Sequence, residues 1–134
     1  MLDLIKQSLL KYTLLVDGVV SVTAGAVFLT FSTVVAELIG PAFTDAVVMG
    51  LGAFLLVWGL FHLSMGARAE ASASGVKIAI IGDALWVAGS AAILFLDWHA
   101  LTGIGAALIA VMAVAVADIM LLKVIGLGRR LATA

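Results

Sequence analysis

Four apolar runs, each long enough to cross a bilayer, take up nearly the whole of this 134-residue chain. A helix needs roughly 20 apolar residues to span the hydrocarbon core, and the runs lie near residues 12–36, 44–66, 76–96 and 101–122. Short loops between them favour sequential antiparallel packing. The expected fold is therefore an all-α integral membrane protein: one domain, residues 1–134, built as an up-down bundle of four transmembrane helices. No stretch is left over for a soluble catalytic domain. Hydrophobic residues make up 65% of the chain and charged residues 11%, too few polar groups to cover a soluble domain of this size.

The remaining composition excludes whole classes of chemistry. There is no cysteine, so disulfides, thiolate metal sites and thiol redox steps are ruled out. A net charge of −1 gives no electrostatic footprint for nucleic acid. Lys6 and Lys11 ahead of an apolar run could mimic a signal peptide. The run that follows is about 25 residues, against ~7–15 for a cleavable apolar region, and it contains Asp17. It reads as a retained first span. The preceding segment, MLDLIKQSLLK, reads either as an interfacial helical turn or as an irregular flank.

Orientation comes from charge. All seven Lys and Arg fall in the N-terminal flank, the second loop or the C-terminal tail. The positive-inside rule then expects both termini and the second loop in the cytoplasm. Glu37, Asp45, Asp97 and His99 fall at the opposite face, where Trp98 fits an interfacial anchor. Glu37, Gly40 and Pro41, the only proline, end the first run. Residues 68–75 (RAEASASG) read as a small, polar, mobile link, and Asp97-Trp98-His99 as a tight turn.

Within the spans stand Asp17, His62, Asp83 and Asp118, one per run. Ionisable groups in a bilayer are costly, and they are usually paired or functional. Each lies five or six residues inside a cytoplasmic Lys or Arg, roughly 8–9 Å at 1.5 Å per residue. Equal depth predicts one inward-facing cluster. Three carboxylates cannot all stay charged in a dry site unless a proton, a cation or His62 as imidazolium compensates. Ser21 and Ser90 recur on the same helical faces as Asp17 and Asp83, and the Trp86 indole N–H, one turn from Asp83, is a candidate donor. The cluster reads either as hydrogen-bonded glue for the bundle or as a proton- or cation-responsive site. A metal is not expected, because no HxxxH or ExxH pattern accompanies the aspartates. No cofactor is expected either. His62 and His99 lie near opposite faces and cannot share a haem within one copy, and no Lys is placed deep enough for a Schiff base.

Small residues recur at helical spacing. Gly52, Gly59 and Gly66 line the second span, Gly82 and Gly89 the third, and Ala106, Ala110, Ala113 and Ala117 the fourth. Such stripes let membrane helices approach closely, and they fit the internal core or a homo-oligomer seam. A faint two-span repeat pairs Asp17 with Asp83 and Gly40 with Gly103.

The segment IIGDALWVAGS (80–90) resembles a pattern in small four-span bacterial membrane proteins that often reads V-I-x-x-N-x-L-W-V-x-x-S. LLVDGVVS (14–21) and the tail GLGRR (126–130) are similar to theirs as well. The resemblance implies a bacterial inner-membrane location and carries no known activity or site. Where that pattern has Asn, this chain has Asp83, which implies that a charge there is not essential to the fold. The expected function is a non-enzymatic accessory or interaction subunit, working in the bilayer with a membrane-protein partner or further copies of itself. The alternative is a small oligomeric proton- or cation-coupled transporter or channel using the cluster.

Overall fold

The computed structural model describes residues 2–132, with side chains described from residue 8 onward. It is helical nearly throughout: α1 (Leu2–Thr30), α2 (Ser32–Ile39), α3 (Asp45–Gly66), α4 (Ala73–Leu96) and α5 (Gly103–Leu131), with a single 3₁₀ turn at Trp98–Ala100. Four helices are long and apolar enough to cross a membrane: α1 from Ser8 onward, α3, α4 and α5. The first run is not one continuous helix to residue 36. Phe31 leaves helical geometry (φ −122°, ψ 33°), and α2 restarts at Ser32. The segment ahead of Tyr12 belongs to α1 rather than to a separate flank. At the other end, α5 continues nine residues beyond the expected limit at 122, through Leu131.

Three helices begin on a side-chain cap that the sequence spells out. Thr44, Ser72 and Thr102 have extended backbones and accept from the N–H of Val47, Gly75 and Gly105. Each hydroxyl meets one of the donors that the first helical turn leaves unpaired. Thr102 does more. Its N–H donates to the Ile39 carbonyl at 2.9 Å and its hydroxyl donates to Leu38 O, while Ala42 N–H reaches Ala100 O at 3.2 Å. The first and third loops are thereby laced together on one face. Gly40 takes φ +129° there, a conformation that side-chain-bearing residues avoid.

Helices α1 and α3 pack backbone to backbone. A Cβ on Gly25 would meet Gly52 O and Leu56 N at 2.8 Å, and one on Gly59 would meet Gly18 O at 2.8 Å and Val22 N at 2.7 Å. Residue numbers rise on α1 as they fall on α3, so this pair is antiparallel. The expected Gly52, Gly59, Gly66 stripe is an internal seam, with Gly66 against Leu15. Its counterpart on α1, Gly18 and Gly25, has the same seven-residue spacing. Helices α4 and α5 form the other close pair, and α1 touches α5. Aromatic side chains fill the wider gap between α3 and α4. Trp58 fills the space beside Gly82, and Phe54 stacks on Trp86 at 6.5 Å.

The other small residues divide. Ala106 is buried, whereas Ala110, Ala113 and Ala117 are only half-buried. Gly89 faces outward, with nothing within 4 Å of the place a methyl group would take, and is no packing residue within one copy. The second loop is tied down: Arg130 on α5 pairs with Glu70 at 2.8 Å and donates to Ala71 O.

A buried ammonium clasp as candidate functional site

Each helix delivers its polar group by periodicity. On α1, Leu10, Leu14, Asp17 and Ser21 share a face and are buried. On α3, His62 lies between Gly59 and Gly66 on the seam that α1 presses against. On α4, Val76, Ala79, Asp83 and Ser90 are buried together. Helix α5 contributes Lys123, whose exposure is 0%.

Lys123 Nζ is the centre of the site. It donates to Asp83 Oδ2 at 2.6 Å, to Asp17 Oδ2, and to His62 Nε2 at 2.9 Å. An ammonium has three N–H donors and no acceptor, so every donor has a partner, each from a different helix. His62 is oriented by its other nitrogen: Nδ1 lies 2.8 Å from Trp58 O. An Nδ1–H donating there leaves Nε2 free to accept from Lys123. Ser21 donates to the second oxygen of Asp17 at 3.3 Å. Asp17 and His62 also approach directly, at 3.1 Å, a contact that becomes a hydrogen bond if His62 is protonated.

With Lys123 cationic, both aspartates ionised and His62 neutral, one negative charge remains on the cluster. One proton taken up by His62 or a carboxyl would balance it. Ligand atoms of Asp17, His62 and Asp83 lie within 4.8 Å of one another, close enough to hold a cation. That cation is the chain's own, since the ammonium sits on all three. A metal ion would have to displace it.

Apolar residues close the site. Leu10, Leu14, Met65, Val76, Ala79 and Leu127 form one buried cluster, and the Trp58 ring meets His62 edge-on at 4.9 Å. Two surface recesses lie elsewhere. One, of about 720 Å³, runs between Phe95, Trp98, Gly103 and Ala110. On α5 its lining stops at Ala110, about 20 Å along the helix from Lys123, and on α4 at Leu94, about 16 Å along the helix from Asp83. The other lies beside Glu37, Pro41 and Thr102.

Three sequence expectations need correction. Asp118 is not in the cluster; it is exposed. It stands five residues from Lys123, about 140° around the helix at 3.6 residues per turn, so an equal offset from a basic residue did not mean a shared face. Lys123 does not mark the edge of the span. It is fully buried among the aspartates, so a deep Lys does exist. Trp86 does not serve Asp83, because its indole N–H is buried without a hydrogen-bond partner. The expected trio Asp17, His62 and Asp83 does converge, and Ser21 joins it. Ser90 is buried on the same helix as Asp83.

No family model, curated protein or solved structure matches this chain. The function is therefore read from the geometry of its own residues.

Proposed function

We propose that this is a small, non-enzymatic, multi-pass membrane protein that serves as an accessory or interaction subunit, with the Lys123 cluster as the clasp that fixes its bundle. The bundle runs up and down in a bacterial inner membrane with both termini cytoplasmic. The seven Lys and Arg support that orientation: six flank the spans at one face, and the seventh, Lys123, is turned inward. The observation that carries the functional reading is the saturation of Lys123. An ammonium held by three side chains from three other helices, under an apolar cover, is built for holding rather than exchange. Removing the ammonium, which leaves both buried carboxylates without a counter-ion, costs about 3–5 kcal/mol, enough to make the site a lock on helix arrangement.

The negative charge left when both aspartates are ionised and His62 is neutral favours a second reading, a proton- or cation-coupled transporter in which the cluster loads and releases a proton. Purified protein in proteoliposomes separates the two. The accessory reading expects no proton or cation flux above that of empty vesicles. Wild-type flux that Asp17→Asn or Asp83→Asn abolishes, in protein that still folds, would replace it with the transporter.

A further inference from the structure

Asp118 is an ionisable side chain exposed on a candidate membrane span, away from the clasp. Around it, on the same face of α5, lie Val111, Val114, Leu121, Leu122 and Ile125, all exposed. Little of the apolar length of α5 is covered within one copy. A carboxylate facing acyl chains is disfavoured by up to about 3 kcal/mol, and such a residue normally pairs with something.

Among the described residues, no basic side chain is placed to pair with it. Lys123 is buried and fully engaged. Asp118 lies five residues beyond Lys123 towards the Thr102 end of α5, about 7.5 Å deeper. On α5 itself Arg129 stands eleven residues from Asp118, about 16 Å along the axis, and on α4 Lys77 stands six residues before Asp83, on the side away from the Thr102 end. Gly126 packs on Leu10, which leaves Lys11 about 10 Å short of the level of Asp118; side chains lean towards the N-terminus of their own helix, and on these antiparallel helices that carries Lys11 and Asp118 further apart. A second copy inserted the same way has its cations at the same wrong depth. Two copies meeting face to face through α5 would bring Asp118 against Asp118.

We infer that the α5 face centred on Asp118 is a docking surface for a transmembrane helix of a different protein, one that presents a basic side chain at the depth of Asp118. The apolar residues above and below pack against that helix, and the ion pair sets its register. This rests on the accessory reading and names the chemistry of the partner.

The chain has no cysteine, so an exposed loop position, Ala69→Cys, takes a single donor fluorophore. The labelled protein is placed in phosphatidylcholine vesicles with acceptor-labelled Leu/Ala transmembrane peptides. These carry one Lys at the depth of Asp118, one Lys two turns away, or Leu throughout. Energy transfer should show the matched Lys peptide binding about tenfold more tightly than the Leu peptide, the order expected of one polar contact in a bilayer. Asp118→Leu should remove the preference while leaving helicity and the unfolding midpoint unchanged or raised. Equal binding of the peptides overturns the inference, as does a Lys preference that survives Asp118→Leu. Asp118-dependent energy transfer between donor- and acceptor-labelled copies overturns it in favour of a self-assembled α5 interface. A pH-sensitive dye in the same vesicles reads flux independently. Flux without a change in peptide preference would remove the accessory reading and leave the docking face standing.

Discussion

Lys123 and Asp83, 40 residues apart in sequence, meet at 2.6 Å with their side chains 0% and 2% exposed. The contact joins α4 to α5, and through the same nitrogen Asp17 and His62 bring in α1 and α3.

Lys123→Met keeps most of the side-chain volume and removes the charge. Two carboxylates are then buried together without a counter-ion. Equilibrium unfolding in detergent should show a loss of about 3–5 kcal/mol. Adding Asp17→Asn and Asp83→Asn to Lys123→Met should recover much of it, because a neutral polar core has no uncompensated charge. If Lys123→Met is as stable as wild type, the clasp is not a structural element.

Asp17→Asn or Asp83→Asn alone should be mild, within about 1–2 kcal/mol. Each leaves one carboxylate against one ammonium and keeps an oxygen acceptor for Nζ. The double variant strands the ammonium and should fall by an amount comparable to Lys123→Met. Additive small losses in the double variant would contradict this charge balance.

His62→Leu removes the third acceptor of Lys123 without adding charge. One buried N–H is left unpaired, for a cost of about 1–3 kcal/mol. His62→Gln, which retains an acceptor, should recover part of it. Identical unfolding midpoints for the Leu and Gln variants would mean that the contact to Nε2 contributes nothing.

Gly59→Ala would set a methyl against backbone atoms of Gly18 and Val22, neither of which can swing aside. Overpacking of this kind costs about 1–3 kcal/mol. Gly89→Ala, on an open face, should be neutral or slightly stabilising, because Ala is the better helix former. Equal effects at the two positions would dissolve the claim that the α1–α3 seam requires glycine.

Orientation is testable with reporter fusions. A cytoplasm-active reporter at Ala134, which lies outside the described residues, should work, and one inserted at Trp98 should not. A reporter of the opposite compartment active at Ala134 would reverse the assignment.

The sequence by itself determined the four apolar runs long enough to cross a membrane, because hydrophobic length is a local property; the Thr or Ser ahead of three of the helices is equally local and was legible as a cap. It also determined the spacing of polar groups along each span, since rise along a helix is a fixed 1.5 Å per residue. Convergence of Asp17, His62 and Asp83 followed from that spacing together with the cost of facing lipid. The direction each group faces around its helix depends on which neighbours pack where, and that only the tertiary structure decided. It turned Lys123 inward although that residue resembles a boundary marker, and it left Asp118 outward although its offset from a basic residue matches that of the others. Charge balance made an inward cation legible, since clustered aspartates need one, but it did not single out Lys123 from Lys11 and Lys77, which stand about as near to Asp17 and Asp83 in sequence. The Gly18 and Gly25 half of the α1–α3 seam was equally legible from its spacing. The break at Phe31 was not, and nor was the lacing of Thr102 to Leu38 and Ile39, which joins segments more than 60 residues apart in the chain.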